Sequence, residues 1–136
     1  MTTDNAASVA KLVVVIDSHR LVLEATGGLL RSWGYQVLEA KSYLRAIEAL
    51  AEGGRRPDLI VCDYDLSREE TGIEAIQRLR AAFGFDIPAL LIGTEAESRS
   101  HDVGAGRYRL LEKPVDAETL RIALLDILTP GEPKDA

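Results

Sequence analysis

The sequence lacks several features that define specialised classes of protein. Cys62 is the only cysteine among 136 residues, so no disulfide can form within the chain, and a reducing compartment is the natural environment. No apolar run approaches the roughly 20 residues that a membrane-spanning helix needs. Residues 1–10 lack the basic-then-apolar order of a signal peptide. We therefore expect a cytoplasmic protein that does not bind membranes.

The chain also lacks an excess of positive charge. It has 16 lysine and arginine residues against 22 acidic ones, a net charge of −6, and no basic stripe. This balance argues against direct binding of nucleic acid. The length suits one domain. We expect that domain at residues 11–129, between a flexible N-terminal tail at residues 1–10 and a flexible C-terminal tail at residues 130–136.

Strand and helix patterns alternate along the chain. Short apolar runs predict strands at residues 11–16, 35–40, 58–62, 87–92 and 107–111. Helical spacing of apolar residues predicts helices at residues 18–33, 42–51, 74–83 and 117–128, with a weaker, polar one at 95–103. We expect the leucine and isoleucine stripes, including Leu21 and Val22, to lie in the core. The alternation predicts an α/β fold: a flavodoxin-like, doubly wound, five-stranded parallel sheet of order 2-1-3-4-5 with five helices.

Polar side chains follow four of the predicted strands. Asp17, Asp63, Thr94 and Lys113 come after the first, third, fourth and fifth strands. Because parallel strands end at the same edge of a sheet, these side chains should converge near the point where the strand order reverses. Two carboxylates with an ammonium and a hydroxyl suit a divalent metal and a phosphoryl group. Asp63 would be the nucleophile that accepts the phosphoryl group.

These motifs resemble the receiver domain of two-component response regulators. The resemblance runs from about residue 11 to residue 128, and some of its segments are most similar to receivers attached to hybrid histidine kinases. The segments are Val14-Val15-Ile16-Asp17, Pro57-Asp58-Leu59-Ile60-Val61-Cys62-Asp63-Tyr64-Asp65-Leu66, Thr71-Gly72-Ile73-Glu74 and Leu111-Glu112-Lys113-Pro114-Val115.

The resemblance implies a role for each residue of the site. Asp63 would be the phosphoacceptor, and Asp17, Asp63 and the backbone carbonyl of Asp65 would bind Mg²⁺. Lys113 would contact the phosphoryl group, with a cis bond before Pro114. The donor would be a histidine kinase or a histidine phosphotransfer protein. No effector domain follows residue 128, so we expect either an output partner that binds in trans to the face formed by the fourth helix, fifth strand and fifth helix, or a domain cut from a longer chain. The domain would not be an enzyme in its own right.

Three positions depart from the family pattern. Ser18 replaces the usual second acid after the first strand, so we expect weak Mg²⁺ binding. Gly93 stands where the family has a serine or threonine, and the hydroxyl appears one residue later, at Thr94. Thr94 could reach the phosphoryl group or merely cap the fourth helix. Leu110 replaces the usual aromatic switch residue, so the switch region of Gly93, Thr94 and Leu110 should respond differently from that of most relatives.

Two alternatives remain open from the sequence. The departures at Ser18 and Gly93 are compatible with a degenerate receiver that binds proteins without being phosphorylated. The run from Asp63 to Ser67 superficially fits the Asp-x-Asp opening of haloacid-dehalogenase phosphatases. Against this phosphatase, two β-α units precede the motif, and too little chain follows for its distal acidic motif.

Overall fold

The computed structural model describes residues 10–99 and 108–128 of the chain. The strands are β1 (Leu12–Ile16), β2 (Gln36–Ala40), β3 (Leu59–Asp63), β4 (Asp65–Ser67), β5 (Glu70–Thr71), β6 (Ala89–Gly93) and β7 (Tyr108–Glu112). The helices are α1 (Arg20–Ser32), α2 (Tyr43–Gly53), α3 (Gly72–Phe83), α4 (Glu95–Arg99) and α5 (Ala117–Leu128). The predicted tails fall almost entirely outside the described residues and stay predictions.

Five strands form one parallel sheet in the order β2-β1-β3-β6-β7. Counted without the two short strands, this is the predicted order 2-1-3-4-5, and the flavodoxin-like fold is confirmed. The sequence did not predict β4 and β5, which pair antiparallel as a small hairpin directly after β3. No helix among the described residues is long and apolar enough to cross a membrane.

Alternate residues of the central strands face two separate cores. Val14, Ile16 and Ile60 pack with side chains of α2 and α3 on one face of the sheet. Val13 and Val15 pack with side chains of α1 and α5 on the other. Both faces are therefore covered, which explains why these strands read as continuous apolar runs.

Two glycines allow helices to approach the sheet closely. At Gly72, the first residue of α3, a Cβ atom would lie 2.3 Å from the carbonyl oxygen of Asp63. At Gly27, inside α1, it would lie 2.0 Å from the Glu39 carboxylate. Gly28 faces open space, so close packing accounts for only one of the adjacent pair. The contact at Gly72 matters most, because it seats α3 against the end of the strand that carries Asp63.

Helix ends agree with the predicted signals, with small shifts. Gly34, with φ of +97°, follows α1, and the Asp116 carboxylate caps α5 by accepting the Thr119 backbone N–H at 2.8 Å. The start of α3 lies two residues earlier than predicted, because Thr71 and Glu74 form a reciprocal capping box around its first turn. The described part of α4 ends at Arg99, and the rest of the predicted helix at 95–103 lies outside the described residues.

Candidate functional site

The ends of three strands bring Asp17, Asp63 and Lys113 to one crevice. Asp63 is the last residue of β3, and its neighbours β1 and β6 lie on either side. Asp17 follows β1, and Lys113 follows β7. Both carboxylates are buried: Asp63 is 3% exposed and Asp17 is 9% exposed. These are three of the four side chains that the strand pattern predicts to converge; the fourth, Thr94, caps α4 instead, and the roles of the residues stay predictions.

Asp63 is held by a cation on one oxygen and a backbone amide on the other. Lys113 Nζ lies 2.7 Å from Asp63 Oδ1, while Asp63 Oδ2 accepts the Asp65 backbone N–H at 3.2 Å. Oδ1 is fully buried, and no described donor meets it at a hydrogen-bonding angle. The Lys113 contact is therefore an ion pair that leaves Oδ1 with unused acceptor capacity.

The charges of this pair are coupled. Burial raises the pKa of Asp63 and the Asp17 charge raises it further, against the opposing effects of Lys113 and the Asp65 N–H. Burial acts to lower the pKa of Lys113, but its short contact with Asp63 and the charges of Asp63, Asp17 and Glu97 outweigh this effect and raise it. Lys113 therefore keeps its charge at neutral pH, and it is the cation nearest to the Asp63 carboxylate.

Asp17 is oriented by the turn that starts α1. Its Oδ1 accepts the His19 backbone N–H at 2.9 Å, and the exposed His19 ring lies 3.4 Å away. Ser18, between them, is half-buried. Asp17 thus holds the turn before α1 and also lines the crevice, so its bond to the His19 N–H leaves it available to the predicted metal ion.

The donor set fits a loosely bound magnesium ion. Asp17 and Asp63 offer carboxylate oxygens at one crevice, and Asp63 Oδ1 is a buried oxygen with spare acceptor capacity. Asp65 follows at the start of β4, where its carbonyl could contribute. Within residues 10–99 and 108–128, no group of three His, Cys, Asp or Glu side chains could hold a metal ion. A magnesium ion at this site would therefore depend on backbone and water oxygens for its remaining ligands.

Gly93, and not Thr94, stands at the strand end beside the crevice. Gly93 is the last residue of β6, and its carbonyl accepts the Lys113 backbone N–H at 2.8 Å. The Thr94 hydroxyl accepts the Glu97 backbone N–H at 3.1 Å, and Glu97 Oε1 accepts the Thr94 N–H at 2.8 Å. Thr94 is thus part of a capping box on α4. Of the two roles that the sequence left open for Thr94, the structure shows the helix cap. A contact between Thr94 and a phosphoryl group stays a prediction.

Leu110, the third residue of the predicted switch region, is half-buried and packs against the core. It pairs with Leu91 across β6 and β7, and it packs against the same cluster as Tyr64 and Ile73. It is an apolar packing residue at the position where relatives carry the aromatic.

Cys62 is a fully buried core residue, and burial raises the pKa of its thiol well above the usual range.

An apolar groove leads from the crevice along α1. One wall is α1, with Leu21, Val22 and Ala25, and the other is the segment that follows Lys113, with Pro114 and Val115. Leu21 is 80% exposed and Val22 is 50% exposed. The expectation that the whole α1 stripe lies in the core is therefore wrong for these two residues. Helical spacing predicts which side of a helix is apolar, but it does not show where the sheet that covers that side ends. The peptide bond before Pro114 is cis, as the resemblance implies.

The doubly wound sheet and its acidic crevice define a receiver-type domain, and the family comparison agrees. The chain belongs to the response regulator receiver domain family, whose model matches residues 13–125. The fold also matches solved receivers. A chemotaxis protein CheY4 from Vibrio cholerae superposes with a TM-score of 0.76 at 24% identity, over 88% of this chain and all of the other.

Individual relatives come from two kinds of protein. The transcriptional regulatory protein ZraR of Escherichia coli K12 is 33% identical over 140 residues, covering 100% of this chain and 29% of the relative. Its Klebsiella oxytoca counterpart is 31% identical, over 85% of this chain and 26% of the relative. The chain therefore spans less than a third of these curated relatives. The receiver domain of sensor histidine kinase PA1611 from Pseudomonas aeruginosa, solved with a coordinated magnesium ion, has a TM-score of 0.75 at 22% identity, over 90% of this chain and 100% of that one.

Proposed function

We propose that this receiver domain accepts a phosphoryl group on Asp63 from a phosphohistidine. The observation that carries the proposal is the buried Asp63 carboxylate, which lies 2.7 Å from Lys113 Nζ at the crevice that Asp17 lines. An oxygen of Asp63 attacks phosphorus, the phosphorus–nitrogen bond breaks, and the histidine leaves with the electron pair. An acyl phosphate on Asp63 is the product.

Lys113 and the Asp65 backbone N–H each stabilise one part of the Asp63 carboxylate. Lys113 already lies beside the Asp63 carboxylate, and its raised pKa keeps it cationic. The Asp65 N–H holds the second oxygen and so fixes the plane of the carboxylate. These contacts exist before the donor arrives, so little reorganisation is needed in the transition state.

Mg²⁺ is the proposed cofactor, bound by Asp17, Asp63 and the backbone carbonyl of Asp65. When bound, it would neutralise charge on the transferring oxygens. The PA1611 receiver is described with magnesium in its active-site cleft, which supports the same cofactor here. With Ser18 in place of a second acid, the side chains contribute two negative charges, so we propose weak binding.

We further propose that the donor is a histidine kinase or histidine phosphotransfer protein that docks in the groove beside α1. The groove exposes apolar side chains such as Leu21 and ends at Asp63 and Lys113. A helix of the donor lying there would bring its histidine to the acceptor while covering apolar surface that water otherwise contacts. Neither nucleic acid nor membrane is proposed as a direct partner of this domain, and the proposed compartment is the cytoplasm.

The output surface is proposed to be the face formed by α4, β7 and α5. The curated relatives are transcriptional regulatory proteins, whereas PA1611 is a sensor histidine kinase. Both contexts are compatible with a receiver that passes its signal to another domain or protein. The similarity to hybrid-kinase receivers seen in the sequence therefore stays a prediction. We propose a signalling module and not an independent enzyme.

One alternative has structural support. A degenerate receiver that binds partners without phosphorylation is favoured by Gly93 at the strand end and by the engagement of the Thr94 hydroxyl in the α4 cap. The phosphatase alternative has none, because Asp63 ends the third strand of the sheet in chain order and the family model matches a receiver.

The direct test is phosphorylation by a small donor. The protein is incubated with acetyl phosphate and Mg²⁺, and intact mass spectrometry counts added phosphoryl groups. We expect one group on the wild type, none on Asp63→Asn, and one on the matched control Asp65→Asn, whose side chain is exposed. Absence of labelling on the wild type with every donor would favour the degenerate receiver.

A further inference from the structure

The Glu97 side chain packs against the end of β6 at Gly93. A Cβ atom at Gly93 would lie 3.0 Å from Glu97 Oε1, 3.2 Å from Tyr64 Cβ and 3.5 Å from Glu97 Cβ. The carboxylate of Glu97 therefore packs over the bare backbone of Gly93. It stands at the rim of the crevice, on the β6 side of Asp63.

The same carboxylate holds the start of α4. Glu97 Oε1 accepts the Thr94 N–H at 2.8 Å, and the Thr94 hydroxyl accepts the Glu97 N–H at 3.1 Å. Only five residues of α4 are described, Glu95–Arg99. The reciprocal bonds of this capping box satisfy backbone and side-chain groups in the first turn of α4.

Glu97 is also within electrostatic reach of the acceptor pair. Its charge contributes to the raised pKa of Lys113 and is the largest charge effect on the raised pKa of Tyr64, after burial. The Lys113 ammonium contacts Asp63 Oδ1 at 2.7 Å, and the Glu97 charge is the smallest of the effects that raise its pKa. Lys113 and Glu97 also meet at Gly93, over which Glu97 packs and whose carbonyl accepts the Lys113 backbone N–H at 2.8 Å. A change of charge on Asp63 therefore alters the electrostatic environment of Glu97.

We propose that Glu97 is the positioning residue that couples the charge state of Asp63 to the order of α4. This inference rests on the proposed phosphorylation of Asp63. An acyl phosphate carries close to two negative charges at neutral pH, in place of the single charge of the carboxylate. Lys113 then neutralises phosphoryl oxygens in preference to Glu97. The Glu97 carboxylate is repelled, its bond to the Thr94 N–H breaks, and α4 loses its N-terminal cap.

Asp17 and Asp63, which would hold a magnesium ion, follow β1 and end β3, whereas Gly93 ends β6 on the other side of β3. Glu97, which packs over Gly93, therefore belongs to the β6 side of the site. This coupling through Glu97 requires neither a hydroxyl at the end of β6 nor an aromatic residue in β7. It is therefore possible in a chain that has Gly93 and Leu110 at those positions.

Amide exchange in the presence of beryllofluoride tests the coupling. Fluorine NMR first establishes that beryllofluoride and Mg²⁺ bind the protein, and the exchange rates of the Thr94 and Glu97 amides are then measured with and without them. We expect the wild type to lose protection at both amides by roughly tenfold when beryllofluoride binds. If beryllofluoride does not bind, both this inference and the proposed function fail; if it binds and both amides stay protected, this inference alone fails.

The variant Glu97→Gln separates charge from capping. Glutamine can still accept the Thr94 N–H, so the box should form, but its neutral amide is not repelled. We expect less than about a twofold change in amide protection on binding, and beryllofluoride affinity roughly threefold to tenfold tighter than in the wild type.

Glu74→Gln is the matched control, because Glu74 forms the equivalent capping box on α3. It should respond as the wild type does. Equal opening in Glu97→Gln and the wild type would overturn the inference.

Discussion

At the residue scale, Asp63 is a charge that the protein keeps buried at a cost in stability. Its carboxylate is almost completely enclosed, and Asp17 adds a second negative charge to the same crevice. Lys113 offsets only part of this, since the pKa of Asp63 remains raised. The acceptor is therefore held in a state that a phosphoryl group, a metal ion or a proton would stabilise.

Asp63→Asn is expected to stabilise the protein near neutral pH. Because the folded-state pKa is raised above the unfolded value of about 3.9, the free energy of unfolding falls as pH rises between the two pKa values. Removing the charge should raise the free energy of unfolding by about 1 kcal/mol at neutral pH. Below the unfolded pKa, where Asp63 is protonated in both states, this gain should vanish. Urea titrations across this pH range measure it, with Asp65→Asn as the exposed control; a gain that persists in acid would contradict the linkage.

Ser18→Asp is expected to tighten Mg²⁺ binding. The added carboxylate would directly follow Asp17 in the half-buried turn before α1, and its charge should increase the affinity by roughly tenfold. Without metal, like-charge repulsion with Asp17 should lower the melting temperature. Calorimetric titration with Mg²⁺ measures the affinity, and Ser67→Asp adds the same charge on the exposed hairpin as a control. Equal affinity in Ser18→Asp and the wild type would show that another oxygen already serves as that ligand.

At the element scale, the contact between α3 and β3 fixes the position of Asp63. The backbone N–H of Gly72 donates to the Tyr64 carbonyl at 2.6 Å, and its Cα lies against the Asp63 carbonyl. The short hairpin of β4 and β5 spans the chain between these two points. The loop that carries Asp65 is therefore anchored at both ends.

Two glycine substitutions should act in opposite directions. Gly72→Ala forces a Cβ atom to within 2.3 Å of backbone, which cannot rotate away, so we expect a loss of roughly 2–4 kcal/mol in the free energy of unfolding. Gly28→Ala meets nothing within 4 Å in the interior of α1, and it should add about 0.5–1 kcal/mol. Thermal unfolding of both variants measures the two effects. A stable Gly72→Ala protein with normal phosphorylation would contradict the role given to this contact.

The sequence predicted the long elements better than the short ones. Runs such as residues 58–62 identify strands because both faces of the sheet are covered. The β4–β5 hairpin was missed because strands of three and two residues are too short to show a period. The role of Thr94 depended on one residue of register at the end of β6, which pattern alone does not set. The exposure of Leu21 was missed because spacing places a residue on a helix face without showing where the neighbouring element ends.

At the scale of the whole molecule, the proposed phosphorylation site and the proposed docking groove lie at the same edge of the sheet. The crevice at the ends of β1 and β3 opens into the apolar groove beside α1, and the switch region around Gly93 lies on the β6 side. We propose that a donor approaches from the first side and that output leaves from the second. Asp63 stands between them.

Leu21→Glu is expected to impair phosphorylation by a protein donor but not by a small-molecule donor. Leu21 is 80% exposed on the groove, so the change should leave the fold intact while disrupting an apolar contact with a protein donor. Phosphotransfer from the histidine kinase that labels the wild type fastest should fall by roughly tenfold or more, with labelling by acetyl phosphate unchanged. Leu44→Glu, on α2 and 59% exposed, is the matched control and should behave as the wild type. Equal loss in both variants would argue against docking at the groove.

The central claim is that Asp63 becomes the acyl phosphate, and mapping the modified residue tests it most directly. Borohydride reduces an aspartyl phosphate to homoserine, which tandem mass spectrometry locates after proteolysis. After treatment with acetyl phosphate and Mg²⁺, we expect homoserine at position 63 of the wild type and at no position in Asp63→Asn. Homoserine at Asp17 or Asp65, or labelled protein that yields none, would contradict the account.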